Sequence, residues 1–202
     1  MIITKIEKSK KGNILIYADN NYLTSLSPEV FLKSKLKVGD YLDKEILKKV
    51  NADSDHHKAK EKALRLLSFR AHSKKELENK IKLRSTVESA QYAADKMEEL
   101  GLVNDLEFSK AYARELSCLK YYSINRIKYE LSKKGVDKSI ISEAIEDIDI
   151  DEENNIRKFM QAKRYLCLDD EKIKRRALNA LQRLGYSWSQ INSVINTKDY
   201  MD

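Results

Sequence analysis

The sequence has few of the residues that interrupt helices or cross-link a fold. Its 202 residues include five glycines and one proline, so we expect long helical segments with few breaks. The two cysteines, Cys118 and Cys167, are too few and too widely separated to suggest a disulfide framework or a metal knuckle. We therefore expect buried or inert thiols, as in a cytosolic protein.

Targeting and membrane segments are also missing from the sequence. Residues 1–11 lack the continuous apolar stretch of a signal peptide. Nowhere do about 18 apolar residues follow one another, which is the length needed to span a bilayer. The sequence therefore predicts a cytoplasmic protein that makes no contact with a membrane.

Motifs for catalysis and metal binding are incomplete. No glycine opens a phosphate-binding loop. Residues 185–189 begin like a nucleophile elbow but end in serine where glycine is required, so we interpret Ser187 as a helix cap. Residues 147–152 begin like a calcium loop, but Glu152 stands where glycine is needed, which favours an acidic connector into a helix. The histidines have no further metal ligands at suitable spacing: His56, His57 and His72. We expect no catalytic residue, no cofactor and no metal site.

The main positive feature is a repeat with an interval of fifty residues. This interval separates Leu66, Leu116 and Leu166, then Ile81, Leu131 and Leu181, and finally Gly135 and Gly185. A fixed interval of this length is typical of one supersecondary unit that is stacked several times. We expect the repeated apolar residues to form the cores of these units.

Residues 1–50 have a different pattern. Short β-branched runs separated by turn residues predict three antiparallel strands. Ser27 followed by Pro28 predicts the start of a short helix. This segment is predicted to form a small module of its own.

The predicted fold is mainly α. It consists of an elongated array of three tandem three-helix repeats with a small N-terminal β-containing module. The predicted boundaries are a β-hairpin and short-helix module at 1–50, a polar linker at 51–57, and repeats at 58–101, 102–150 and 151–198.

Basic residues are concentrated near both ends of the predicted array. The net charge is +7, with 39 Lys and Arg against 32 Asp and Glu. Residues 56–84 hold ten basic and three acidic residues, and residues 157–183 hold nine and three. Residues 102–152 hold eight basic and eleven acidic residues. Because clustered like charges repel one another, an anionic partner is expected, either a nucleic-acid backbone or an acidic protein surface. Tyr121 and Tyr122, beside Lys120, either stack on bases or form an apolar corner between helices.

Three ordered segments resemble the bacterial RecX family, which regulates the RecA recombinase. Residues 63–77 are similar to the first-repeat signature of that family, residues 101–136 to the second, and residues 181–191 to the last. The resemblance as a whole covers residues 58–196. Residues 121–123 depart from the pattern, because the family often has a glycine-containing turn there. Residues 1–50 resemble the N-terminal extension of longer members more weakly.

The resemblance implies a non-enzymatic inhibitor that lies in the groove of the RecA filament on single-stranded DNA. It would limit filament growth, strand exchange and coprotease activity, and we expect it to act as a monomer. Direct DNA contact through the basic faces of repeats 1 and 3 stays open. The residues expected to face the filament or DNA are Arg65, Arg70, Lys74, Lys75, Arg114, Arg126, Lys134, Arg175, Arg176 and Arg183. Two alternatives are a stand-alone nucleic-acid-binding helical-repeat protein and a scaffold for another acidic protein.

Overall fold

The computed structural model describes residues 1–165 and 170–196, which form two compact units. Unit 1 contains Met1–Ala71 and Leu77–Val103, and unit 2 contains His72–Glu76 and the described residues from Asn104 onward. Leu166 and Cys167 lie outside the described residues, so the predictions made for them stay predictions.

Unit 1 begins with the predicted three-stranded sheet. Strands β1 (Ile3–Lys8), β2 (Ile14–Ala18) and β3 (Asn21–Leu26) are antiparallel and adjacent in chain order. Between β2 and β3, Asp19 and Asn20 have φ of 48° and 65°, the pattern of a two-residue hairpin turn that matches strand twist. The prediction of a strand-containing module is confirmed.

Two helices complete the N-terminal part of unit 1. Helix α1 (Pro28–Ser34) begins at Ser27, whose Oγ accepts a hydrogen bond from the Val30 N–H. Helix α2 begins after Asp43 and runs over Lys44–Leu67. The sheet and these helices share a buried core of Ile3, Ile16, Leu26, Val30, Leu42 and Val50.

The predicted linker at 51–57 is wrong, because these residues lie inside α2. The stretch is polar but contains neither glycine nor proline, so nothing ends the helix that the Asp43 side chain caps. Val50 belongs to the N-terminal core, whereas Ala59 and Ala63 belong to the core of the first repeat. One continuous helix therefore serves both parts of unit 1.

Three groups of three helices follow the predicted repeat. The first uses the C-terminal half of α2 with α3 (Lys74–Lys82) and α4 (Val87–Glu99). The second consists of α5 (Asp105–Lys120), α6 (Ile124–Lys133) and α7 (Lys138–Glu146). The third consists of α8 (Glu152–Ala162), α9 (Glu171–Arg183) and α10 (Trp188–Asn196). Within the described ranges the chain is mostly helical, with ten helices beside the small sheet.

Each group has its own hydrophobic core, and the fifty-residue interval marks equivalent core positions. Ile81, Leu131 and Leu181 are fully buried, one in each core. Leu116 is buried as well, whereas Leu66 is half-buried at the edge of the first core. The core residues of the three groups are Ala59, Ala63, Leu77, Ile81, Ala90, Ala93, Met97 and Val103; Phe108, Ala113, Leu116, Ile127, Leu131, Val136, Ile141 and Ile145; and Ile156, Phe159, Met160, Ala177, Leu181, Tyr186, Ile191 and Val194.

We expected a buried or inert thiol at Cys118. The first of these alternatives is wrong, because this residue is exposed on α5, and the second stays a prediction. Its neighbours Leu116 and Ser117 face the core, which leaves Cys118 on the outer face of the helix. None of the helices in 1–165 and 170–196 is long and apolar enough to cross a membrane.

A packing junction recurs within unit 2 at the same interval. Ser73 Oγ donates a hydrogen bond to the carbonyl of Lys134 over 2.6 Å. Fifty residues later, the Ser123 N–H donates to the carbonyl of Leu184 over 3.0 Å. Ser73 and Ser123 also accept hydrogen bonds from the first turn of α3 and α6, respectively. In both cases a serine joins the start of one second helix to the end of the next.

Carboxylates reinforce these two junctions. The Lys74 N–H, at the start of α3, donates to Asp105 Oδ1 over 2.7 Å. The Ile124 N–H, at the start of α6, donates to Glu152 Oε1 over 2.8 Å. A carboxylate from the first helix of one repeat thus caps the second helix of the preceding repeat, where a negative charge also suits the helix dipole. The sequence repeat therefore records the stacking contacts as well as the cores.

Candidate functional site

The features that resembled catalytic or metal motifs have structural roles. Ser187 caps α10, with its Oγ accepting from the Gln190 N–H over 3.3 Å, as predicted. Asp151 caps α8 and Glu152 lies in its first turn, so the acidic connector is confirmed. No group of three histidine, cysteine or acidic residues in the described ranges could hold a metal ion.

The histidines take part in packing and polar contacts. His56 stacks on the ring of Tyr92 at a centroid distance of 4.2 Å, beside a cavity of about 220 Å³ in unit 1. His57 lies 3.5 Å from the carboxylates of both Glu29 and Glu61. His72 is buried in unit 2, and its Nδ1 lies 3.0 Å from Glu76 Oε2.

Two of the predicted partner-facing residues lie in unit 1. Arg65 is exposed in the last turn of α2. Arg70 is exposed just after this helix, and its Nη1 donates to the carbonyl of Ala71 over 2.7 Å.

Three other predicted residues meet at the first junction of unit 2. Lys74 and Lys75 open α3, while Lys134 follows the last turn of α6. The Lys134 ammonium is 2.8 Å from Glu76 Oε1, and its side chain is only 27% exposed. Lys75 is exposed, and its Cβ lies beside the backbone of Gly135. The ammonium of Lys134 is therefore paired with Glu76, and this ion pair joins α6 to α3.

Arg126 is also engaged in contacts within the protein. Its Nη2 is 2.7 Å from Glu130 Oε1, one helical turn away on α6. Its guanidinium carbon lies 5.5 Å from the ring centroid of Tyr122 and 5.2 Å from that of Tyr129. Lys133 Nζ lies 5.4 Å from the centroid of Tyr129. Sequence reasoning did not single out Tyr129 and Lys133, although the spacing of 126, 129 and 133 is that of one helix face.

The two tyrosines at the α5–α6 corner have separate roles. Tyr121 has φ of 56° and packs edge-on against Phe159, while its carbonyl accepts from the Tyr186 hydroxyl over 2.8 Å. Tyr121 therefore forms the apolar corner, and it adopts the left-handed backbone for which a glycine would be favoured. Tyr122 packs against the core of the second repeat and also lies beside the guanidinium of Arg126.

The remaining predicted residues are exposed on helices of unit 2. Arg114 lies on the outer face of α5. Arg175, Arg176 and Arg183 lie on α9, and none of them forms an ion pair with a residue that the structure describes. Helix α9 therefore presents a basic face while Ala177 and Leu181 are buried in the third core.

Comparison with known proteins agrees with this arrangement. The family model for the first three-helix domain of RecX matches residues 59–89, and that for the second three-helix domain matches residues 104–145. The regulatory protein RecX of Clostridium acetobutylicum is 31% identical over 207 residues, covering 96% of this chain and 94% of the relative. That of Clostridioides difficile (strain 630) is 30% identical over 200 residues, with the same shares covered.

The chain belongs to the RecX family. A crystal structure of a regulatory protein RecX has the same fold, with a TM-score of 0.71 at 22% identity, covering 96% of this chain and 98% of the other. The crystal structure of RecX from Lactobacillus salivarius has a TM-score of 0.60 at 26% identity, covering 73% of this chain and 98% of the other. The family models match the first two helical repeats, and helices α8 to α10 form a third group with the same three-helix arrangement.

Proposed function

We propose that this RecX family member is a non-enzymatic regulator of the RecA recombinase. It would lie in the groove of the RecA filament on single-stranded DNA and limit filament growth, strand exchange and coprotease activity. Family membership supports this proposal, because the curated relatives are named regulatory proteins. The observation that carries it in this chain is the basic outer face of α9, formed by Arg175, Arg176 and Arg183.

This basic face is suited to a highly charged partner. Its guanidinium groups are exposed, and each can donate two parallel hydrogen bonds to a carboxylate or a phosphate. Attraction between clustered charges speeds association and weakens as salt is added. Arg65, Arg70, Lys75 and Arg114 are also exposed, so they remain candidates for the same partner. Lys134 and Arg126 already have carboxylate partners, so we expect them to contribute less to this charge attraction.

Binding to a preformed filament tests the proposal. The parent chain and a triple variant, R175E/R176E/R183E, would be sedimented with RecA filaments on single-stranded DNA at several salt concentrations. We expect the parent to sediment with the filament, less so at high salt. The triple variant should bind more weakly and with a smaller salt dependence.

A matched control makes the test specific. Lys10, Lys11 and Lys37 are exposed in the N-terminal module, and K10E/K11E/K37E changes the net charge by the same amount. This control should bind like the parent, and circular dichroism would establish that both variants are folded. Equal binding by the parent and the α9 variant would refute the assignment of this face.

A further inference from the structure

Cations and aromatic rings alternate over residues 122–133, at the start of α6 and along one face of it. Tyr122 lies just before the Ser123 cap, whereas Arg126, Tyr129 and Lys133 follow one another at helical spacing on α6. We call these four residues the α6 strip. Arg126 lies within 5.5 Å of both ring centroids, and Lys133 lies 5.4 Å from that of Tyr129. The strip is thus a row of ring faces with a cation beside each.

Core packing explains only one of the two rings. Tyr122 is half-buried and packs against the second core, but Tyr129 is 55% exposed, and α6 enters that core through Ile127 and Leu131 instead. Cation–ring pairs occur about once in 70–80 residues, whereas residues 122–133 carry three in succession. A surface that is rich in such pairs is unusual enough to call for a ligand.

The internal repeat provides a comparison within the same chain. The positions fifty residues after the α6 strip hold Lys172, Arg176, Asn179 and Arg183, on α9. Their buried neighbours, Ala177 and Leu181, correspond to Ile127 and Leu131. Because α9 packs in the same register without aromatic residues on this face, the repeat itself does not require tyrosines there. The rings are a feature of the middle repeat.

We propose that the α6 strip binds single-stranded DNA, with bases stacking on the tyrosine rings and phosphates paired with Arg126 and Lys133. Stacking on aromatic rings is accessible to unpaired bases of any sequence, whereas a duplex hides its base faces. Binding of an acidic protein surface would need a strong positive charge on the α6 strip. Glu130 lies 2.7 Å from Arg126 and 3.8 Å from Lys133, so its carboxylate offsets part of the charge of these two residues. The rings are therefore the distinctive part of the surface, and they favour a nucleic acid.

This inference rests on the proposed function for its setting, since the filament contains single-stranded DNA. It differs in its test, which uses DNA without recombinase. Binding of fluorescent single-stranded oligothymidine would be followed by anisotropy for the parent, Y129L and Y129F. We expect Y129L to lose about 5- to 150-fold in affinity, the equivalent of one base stack. Y129F keeps the ring and should bind like the parent.

Charge and position are controlled separately. K133Q removes one phosphate contact, so the slope of log affinity against log salt should decrease by about 0.7, while Y129L should leave that slope unchanged. Y41L is the matched control, because Tyr41 is 69% exposed and lies in the N-terminal module; it should bind like the parent.

Three results would overturn the inference: no binding of oligothymidine by the parent, equal binding by Y129L and the parent, or equal loss in Y129L and Y41L. If duplex DNA or heparin bound as tightly as oligothymidine, and Y129L left the affinity unchanged, the surface would be purely electrostatic and the inference would also be refuted. If the α6 strip binds oligothymidine but the protein does not bind RecA filaments, only the proposed function is refuted.

Discussion

Gly185 tests the stacking junction between the second and third repeats. It has φ of +93°, and a Cβ added there would lie 2.5 Å from Ser123 Oγ and 2.7 Å from Arg126 Cβ. Gly39 has nearly the same φ, +95°, but an added Cβ would meet nothing within 4 Å. The two glycines thus share their backbone conformation and differ in crowding.

The expected cost of each alanine substitution follows from this comparison. A positive φ disfavours any residue with a Cβ, which we take as about 1–2 kcal/mol for both G39A and G185A. Overpacking adds about 1–3 kcal/mol for G185A, because the Ser123 cap and the first turn of α6 would have to move. G185A should therefore lower the free energy of unfolding by about 2–5 kcal/mol in total.

Urea unfolding measures this difference. Far-ultraviolet circular dichroism follows all helices, and the fluorescence of Trp188, the single tryptophan, follows the third repeat. We expect G185A to shift the fluorescence midpoint strongly, and G39A to have only the smaller backbone effect on the dichroism. Equal losses in the two variants would show that the junction does not crowd position 185, and would refute the reasoning.

Other predictions concern the core, the caps and the pH dependence. L131A should cost about 2–5 kcal/mol because Leu131 is fully buried, whereas L119A, at a 68% exposed position, should stay within about 0.5 kcal/mol; urea unfolding of both compares them, and equal costs would contradict the core assignment. D105A removes a carboxylate that caps α3 and should lower the free energy of unfolding by about 1–2 kcal/mol. Calorimetry should show this as a lower melting temperature, and an unchanged melting temperature would exclude the cap. Burial raises the pKa of the Tyr186 phenol, so above a pH of about 10 this phenol ionises in the unfolded chain before it does so in the folded one, and stability falls. Urea titration at each pH measures this fall, which should be smaller in Y186F. An equal fall in Y186F and the parent would show that Tyr186 is exposed.

Local signals were enough to predict where some helices begin. Ser27 and Ser187 are predicted to cap helices, and each does so through its side-chain oxygen. These signals work because a cap satisfies backbone N–H groups of its own first turn. The fifty-residue interval worked for a similar reason, since each core draws on the same positions of its repeat.

The predicted linker at 51–57 is wrong because a polar stretch does not by itself end a helix. Residues 51–57 are mostly polar and only Ser54 among them is buried, but a helix ends only where its backbone is interrupted or capped. Asp43 was the stronger signal, because it starts a helix that no later glycine or proline stops before Leu67.

The partner-facing residues were harder to predict, because their engagement depends on distant residues. Lys134 pairs with Glu76, which is far away in sequence, so its basic character alone could not show that it is held in a junction. The pair of Arg126 with Glu130 is local, and its four-residue spacing could have indicated it. The spacing of Tyr122, Arg126, Tyr129 and Lys133 was also visible in the sequence, but only the structure shows the rings against the cations.

The central claim is regulation of the recombinase. It is tested most directly by the rate of ATP hydrolysis by RecA on single-stranded DNA as the parent chain is added. A regulator that limits filament growth predicts a loss of hydrolysis at protein concentrations well below that of RecA. Hydrolysis that is unchanged, or that falls only when the added protein is abundant enough to compete for the DNA itself, would contradict the account.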